Sequence, residues 1–406
     1  MTIRGPLTGI RILDLSHAHA GPYGSQLLGD LGAEVLKIEP PGRGDIVRGI
    51  NPSLKGESYY TLALNRNKKS IALDMYTESG KEAFYDLVKI SDVVFDNFRA
   101  GVIERLGIDF ETLKKTNPKI ISCSITGYGV AGPYKDRPAI DDMVQGIAGS
   151  LSLAGEPDGG PLRPGIAIAD LSGGFFGAMG VVVALYERQK TGKGVRVDVN
   201  LLESTMSLMS NHFQMFFLSG KPPKPQGKRH PAAPIGVFQT RNGHVTLGLS
   251  WPDIAHVLGR SWLLNDPRFD TMEKRLKSKN ELESIMEEAL IEKDTEEWLE
   301  LFKEHDIIGG PINTLDKVEK DPQVIYNETV IHMDHPVCGP IRAIATPILH
   351  IRDGMDGSHE PPPTLGQHTE EVLKMVLGYS DEKIRSIQKE AEGHAKELAK
   401  HVKEKI

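Results

Sequence analysis

The chain has 406 residues, of which 39% are hydrophobic and 25% charged, with a formal net charge of −7. That length implies two domains or one large domain with insertions. The acidic balance argues against a nucleic-acid or anionic-membrane partner, because both reward a basic surface. Two cysteines without CxxC spacing, Cys123 and Cys338, speak against a disulfide framework or thiolate metal site and suit a reducing cytoplasm. The N-terminal MTIRGPLTGI lacks the apolar core of a signal peptide. The most apolar run, Phe175 to Tyr186, is shorter than the roughly 20 residues that cross a bilayer. A soluble cytoplasmic protein is expected.

Along the first 200 residues, short apolar runs alternate with helical stretches. Gly9–Leu15 reads as a buried strand, Gly21–Leu31 as the helix after it, and Glu34–Ile38 as a second strand. Ser70–Leu73, Asp92–Phe95 and Lys119–Cys123 continue the series, and Val195–Val199 follows a helix that Gly192 caps at its C-terminus. Such alternation predicts an α/β fold with a parallel sheet covered on both faces. From Ser219 the segment SGKPPKPQGKRHPAAP, with five prolines, reads as an extended connector. Gly236–Leu249 then predicts a hairpin turning at Asn242–Gly243. Leu282, Ile285, Met286, Ala289 and Leu290 repeat at helical spacing, with Asn280 placed as a cap. Residues from Pro336 to Ile351 read as strand-rich, HEPPPTLG as a loop, and the tail from Ser380 as a helix with Ala395, Leu398, Ala399, Val402 and Ile406 in one stripe. The expected division is 1–218, 219–325 and 326–406.

Several positions invite a chemical reading. Asp170 follows the β-like stretch Ile166–Ala169 and directly precedes a helix running from about Leu171 to Gln189. It reads as an N-cap, and the same geometry would keep a functional carboxylate ionised, in one rotamer, and projecting from a sheet edge. In the following helix Gly173, Gly177, Gly180 and Ala184 share one smooth face, which suits close backbone packing. The QKTGKG run fails the P-loop test, since Glu187 and Gly194 stand where Gly and Ser or Thr are required. No GxGxxG follows the first strand, so a nicotinamide dehydrogenase is a poor fit. His17 and His19 lie just beyond that strand without further ligands at suitable spacing, and no metal is expected. Arg99 and Arg105, after the strand at 93–95, suit phosphate groups, or simply a solvated helix start. Arg66, Lys68 and Lys69 form a second basic cluster.

Taken in order, LDLS..AGP at 13–22, LGAEVLKIEPPGRGD at 31–45, NFRAG..ERLGI at 97–108, SITGYG..GPYKDRP at 124–138 and AD at 169–170 before the glycine-rich helix resemble the family III CoA-transferases, the formyl-CoA and carnitine CoA-transferase (CaiB/BaiF-like) group. KTGKGVRVDV, DPRF at 266–269 and TLGQHTEEVL complete a resemblance that runs over nearly the whole chain. The resemblance implies a doubly wound, Rossmann-like large domain built from both chain ends, a smaller α+β domain from the middle, and two chains interlocked as a dimer. It implies that Asp170 is the nucleophile, passing through an aspartyl anhydride and an aspartyl-CoA thioester, with no permanently bound cofactor. It carries His17, Ala18, Leu73, Asn97, Phe98, Arg99 and Arg105 over to coenzyme A contact. His19 stands where formyl-CoA transferase has a glutamine, which turns expectation away from a formyl/oxalyl pair and toward His19 as an acid-recognition group. Ile140 falls where α-methylacyl-CoA racemase carries its histidine base and where many transferases have tyrosine, so racemisation lacks a partner base and the pocket is reshaped. The expected substrates are an acyl-CoA, with succinyl-CoA as a candidate donor, and a small carboxylic acid. One subunit of a heteromeric transferase is the remaining alternative to a homodimer.

Overall fold

A computed structural model describes residues 5–230, 234–348 and 359–403, with side chains to 397. The chain divides into two compact units: Met1–Ser150 with Gly165–Asn211 and Tyr326–Ile406, and Leu151–Pro164 with His212–Ile325. In the first unit the strands are β1 (Arg11–Asp14), β2 (Glu34–Glu39), the two-residue β3 (Ser53–Leu54) and β4 (Glu57–Ser58), β5 (Lys68–Ala72), β6 (Val93–Asp96), β7 (Ile121–Thr126) and β8 (Arg196–Asn200). Six of them form a sheet in the order β5-β2-β1-β6-β7-β8, parallel at every pairing. Numbered among themselves these six run 3-2-1-4-5-6, the order of doubly wound nucleotide-binding folds. Residues of β6 and β7 are buried throughout, as expected of strands covered on both faces.

Successive residues serve opposite cores. Leu13, Leu36, Ile71 and Val94 pack with Phe84 and Leu87, and with Val372, Leu373, Ile384 and Ile387 from the C-terminal segment. Ile12, Val35, Val93 and Phe95 pack with Leu28, Ala178 and Val181 on the other side. The helices are α1 (Ala20–Asp30), α2 (Tyr59–Leu64), α3 (Glu78–Lys89), α4 (Val102–Leu106), α5 (Phe110–Thr116), α6 (Asp141–Ala148), α7 (Ile168–Thr191) and α8 (Leu201–Leu208). The glycine face of α7 is turned to the sheet: an added Cβ at Gly177 would lie 2.8 Å from Ile125, and one at Gly180 2.7 Å from Val197. The stripe's Gly173 meets Leu201 of α8, and the contact with α1 uses Gly174 instead, off that stripe. A Cβ there would lie 2.4 Å from the Ala20 carbonyl oxygen, and one on Gly24 2.6 Å from the Gly174 carbonyl oxygen, so α1 and α7 touch backbone to backbone. Gly192 ends α7 with φ 70°, as expected. At 24 residues α7 is long and apolar enough to cross a bilayer, which corrects the reading of a run too short to do so. Its packing against α1 and the sheet gives half of that apolarity a core role, while Phe175, Val183 and Tyr186 on its outer face are exposed.

The second unit carries the predicted hairpin, Gly236–Gln239 paired antiparallel with His244–Leu247, and Gly309–Pro311 adds a third strand. Phe238, Val245, Leu282, Met286 and Trp298 fill its core. Ser278, not Asn280, precedes the helix Lys279–Leu290, so Asn280 lies inside it. The proline-rich stretch forms no helix or strand between 220 and 230, apart from a single bridge at Arg229; residues 231–233 of the predicted connector lie outside the described residues. Near the C-terminus of the first unit, the hairpin Val330–His335 with Gly339–Ile344 lies somewhat earlier than the predicted strand-rich region, whose last residues, 349–351, are outside the described ones. The final helix, Asp381–Lys403, buries Ile384, Ile387 and Ala391. Of its predicted stripe Ala395 is exposed, and the side chains of Leu398, Ala399, Val402 and Ile406 lie outside the described ones.

Candidate active site

Strand order reverses between β1 and β6, and the crevice beyond the carboxyl ends of such a pair is where open α/β sheets bind ligands. The loop after β1 brings His17, Ala18 and His19 to that crevice, and the loop after β6 brings Asn97, Phe98 and Arg99. Asn97 ties the two loops together: its Oδ1 accepts the His17 N–H at 2.7 Å, and its Nδ2 donates to the His17 carbonyl at 2.8 Å. Phe98 lies against the His17 ring, centroids 5.3 Å apart. Ala18 adopts φ 63°, a left-handed conformation that a non-glycine residue holds only when its surroundings fix it. The fixing contact is a 3.0 Å hydrogen bond from its N–H to Asp45 Oδ1.

Beneath these loops lies a buried network of charge. Lys37 Nζ donates to the Ser16 carbonyl at 2.9 Å and to Asp45 Oδ2 at 3.1 Å. Burial opposes its charge, but Asp45, Asp14 and Glu39 hold the Lys37 ammonium above its ordinary value. Asp14 accepts from the hydroxyls of Ser16 and Ser25 and from Lys68. Burial would raise its carboxyl, but Lys68, Lys37 and the two serines prevail and hold it at about 2. Glu39 is likewise held at about 2, against burial, by Arg48, Lys37 and Ser70. The basic cluster at 66–69 is absorbed in the same way. Arg66 binds Asp30, Lys68 binds Asp14, and Lys69 pairs with Glu34 and Glu371, so these cations are structural.

Asp170 occupies the first turn of α7 and is not its cap, contrary to the sequence reading; Ala167 holds the N-cap position and has no side chain to serve there. Helix first turns leave orphan N–H donors, and here Asp141, at the start of α6, accepts them. Its Oδ1 takes the N–H groups of Ala169 at 2.9 Å and Asp170 at 3.1 Å. The Asp170 side chain is 18% exposed, and its Oδ2 stands 3.7 Å from His19 Nδ1. Burial and the neighbouring carboxylates of Asp141 and Asp142 push the Asp170 carboxyl up to about 7, which replaces the expectation of a firmly ionised group. Burial also lowers His19, against the pull of Asp141. The 3.7 Å contact is therefore a poor ion pair near neutrality. The His19 ring lies edge-on to Tyr60, centroids 5.5 Å apart.

Ala18, His19, Asn97, Phe98, Arg99, Ile140 and Asp170 line one cavity, together with Gly127, Tyr128, Lys135 and Arg137. Ile140, at the N-cap of α6, presents an apolar side chain that is 61% exposed. Leu73, His17 and Phe98 line a second cavity of about 520 Å³ with Pro40, Arg43, Tyr76 and His394. Phe98 belongs to both. Arg105 is exposed on α4 and lines neither cavity. Asp141, Asp45, Lys37, Lys135 and Arg137 were not singled out in the sequence, though Asp141 directly follows Ile140 in the segment compared with the racemase and the others fall within the quoted motifs. A lysine inside the apolar run VLKIE is the one signal that pointed to a buried charge. Among the described residues no group of three or more His, Cys, Asp or Glu side chains is arranged to hold a metal ion.

A family model described as CoA-transferase family III matches residues 7–369. Succinyl-CoA:glutarate CoA-transferase of Homo sapiens is 36% identical over 93% of this chain and 88% of its own length. Formyl-CoA:oxalate CoA-transferase of Bradyrhizobium diazoefficiens is 33% identical over 94% of this chain and 96% of its own. The crystal structure of a CaiB/BaiF family protein from Brucella suis superposes with a TM-score of 0.82 at 33% identity, covering 92% of this chain and 99% of that one.

Proposed function

The chain belongs to CoA-transferase family III, and from that membership we propose that it moves coenzyme A from an acyl-CoA donor to a free organic acid through covalent intermediates on Asp170. The observation that carries this reading is the Asp170 carboxyl, half-enclosed at the switch point of the sheet beside His19 and Asn97. Attack of the carboxylate on the donor thioester forms a mixed anhydride and releases CoA thiolate. The thiolate then attacks the aspartyl carbonyl, expelling the donor acid and leaving an aspartyl-CoA thioester. The acceptor carboxylate opens that thioester to a second mixed anhydride, and the thiolate attacks its acyl carbonyl, which restores Asp170. Each step joins a nucleophile to an already activated carbonyl. A carboxyl raised to about 7 is a stronger nucleophile once ionised than an ordinary one, and it loses its proton in the neutral range. Of the groups carried over to coenzyme A contact, His17, Ala18, Leu73, Asn97, Phe98 and Arg99 line the two cavities, and Arg105 lines neither.

For the acids, we favour dicarboxylates, with succinyl-CoA as donor. Relatives bear the names of succinate, glutarate and oxalate transferases. Lys135 and Arg137 support the choice, since the cavity they share with Asp170 would offer a second carboxylate two cations. Arg137 is stacked on Tyr134, 3.7 Å from the ring centroid, a geometry that holds a guanidinium in place. Racemisation is disfavoured: Ile140 carries no proton, and His19 at 3.7 Å from Asp170 leaves no room for an α-carbon between two opposed bases. A homodimer is supported by the apolar outer face of α7, where Phe175, Val183 and Tyr186 are exposed; a heteromeric partner would be met on the same face.

Incubation with acyl-CoA followed by hydroxylamine or borohydride should modify Asp170, and Asp170→Ala should abolish transfer. An active Asp170→Ala enzyme would sink the mechanism. Exchange of the α-proton of a 2-methylacyl-CoA in heavy water, without acceptor acid, would instead favour the racemase.

A further inference from the structure

The start of α7 is capped from outside its own segment, and the residue that does so is not part of the chemistry just described. Asp141 is buried. Its Oδ1 receives the N–H groups of both Ala169 and Asp170, and its Oδ2 accepts from Gln145 Nε2 at 2.6 Å. Gln145 is itself fully buried and accepts at Oε1 from the Ser150 hydroxyl at 3.2 Å. A chain of hydrogen bonds thus runs from Ser150 through α6 to the backbone nitrogen of Asp170. We propose that Asp141 is the positioning residue of this site, aiming the Asp170 carboxyl by anchoring its backbone and keeping a second negative charge beside it.

The proposal rests on Asp170 being the nucleophile, and it separates two effects of one carboxylate. The first is geometric. With Ala167 unable to cap, the first turn of α7 depends on Asp141 for two donors, and a slack turn would let the nucleophile swing away from a thioester that must be met within a few tenths of an ångström. The second is electrostatic. A like charge nearby disfavours ionisation and makes the carboxylate, once formed, more basic, in agreement with the raised Asp170 carboxyl. The other charged or titratable groups facing Asp170 are His19, Asp142, Tyr128, Lys135, Arg137 and Arg99, and these stay in place when Asp141 alone is changed.

The test compares the pH dependence of kcat/KM for acyl-CoA in wild type, Asp141→Asn and Asp141→Ala. Asparagine keeps an acceptor oxygen for the α7 donors and removes the charge. The acid limb of Asp141→Asn should move down by on the order of one pH unit, while kcat above that limb stays within a few-fold of wild type. Alanine removes both, and kcat should fall by about tenfold or more, a loss that asparagine restores. A merely structural cap would not move the acid limb. An acid limb unchanged in Asp141→Asn would overturn the electrostatic half, and undiminished kcat in Asp141→Ala would overturn the positioning half. If Asp141→Asn does not fold, Asp141→Ser, a neutral residue able to accept at a helix start, is judged by the same limb. Failure of the nucleophile reading is distinct, because it appears as activity in Asp170→Ala whatever Asp141 does.

Discussion

A carboxyl held at about 7 in the fold and near 3.8 in the unfolded chain makes the folded protein less stable once the unfolded chain loses its proton. Well below pH 3.8 both forms are protonated and the group contributes nothing. From about pH 3.8 to 7 the unfolded chain has released its proton while the folded one keeps it, so stability falls as pH rises, and the loss levels off above pH 7. The full displacement corresponds to about 4 kcal/mol. The side chain retains 18% exposure, so residual hydration reduces this to about 1–3 kcal/mol. Asp170→Asn removes the ionisation and is nearly isosteric. Urea unfolding at pH 4.5 and pH 8.5 should therefore show the variant close to wild type at the lower pH and about 1–3 kcal/mol more stable at the higher one, with transferase activity lost at both. Equal stability of the two proteins at pH 8.5, or a variant less stable there, would refute the reasoning and mean that the site does not oppose the charge of its own nucleophile.

Other expectations follow from the same structure. Wild-type kcat/KM should rise with pH through an acid limb near 7 as Asp170 ionises, and a limb below pH 5 would contradict the burial described. Lys37→Met should lower unfolding free energy by about 3–5 kcal/mol, because it strands Asp45 without its buried cation while Asp14 keeps Lys68; a loss under 1 kcal/mol in denaturant titration would argue against that network. Gly174→Ala should cost about 1–3 kcal/mol, since its Cβ would meet the Ala20 carbonyl rather than a movable side chain, whereas Gly192→Asn, at an open left-handed cap, should change Tm little. Arg137→Gln with Lys135→Gln should raise KM for dicarboxylic acceptors by about tenfold or more and leave monocarboxylic acceptors nearly unaffected; equal effects on both would remove the basis for a second carboxylate site.

Much of this protein is written locally. The strands β1, β2 and β6 are built on pairs or triplets of adjacent apolar residues, and β7 follows from Ile120 and Ile121 at its start, so their positions were legible along the chain. The same holds for the cap at Gly192 and for the hairpin over 236–247, although its register pairs Thr240 with Gly243 and so centres the turn on Arg241–Asn242, one residue before the expected Asn242–Gly243. The ordered motifs also pointed to the family and to Asp170.

What only the tertiary structure decided is the environment of that residue. Asp170 looked like a cap because aspartate before a helix usually is one, yet α7 begins two residues earlier and is capped by Asp141, 29 residues away in the chain. Its expected ionised state failed for the same reason: a pKa is set by burial and by charges within a few ångströms, and Asp141 and Asp142 come that close only when α6 packs beside α7. Likewise the glycine stripe was visible as a smooth face, but whether it met a helix or a sheet was decided by where β7 and β8 lie beneath it, leaving Gly174 to meet α1. Residue type and spacing determine which segments fold and which side chain can react; through-space neighbours determine how strongly that side chain holds its proton.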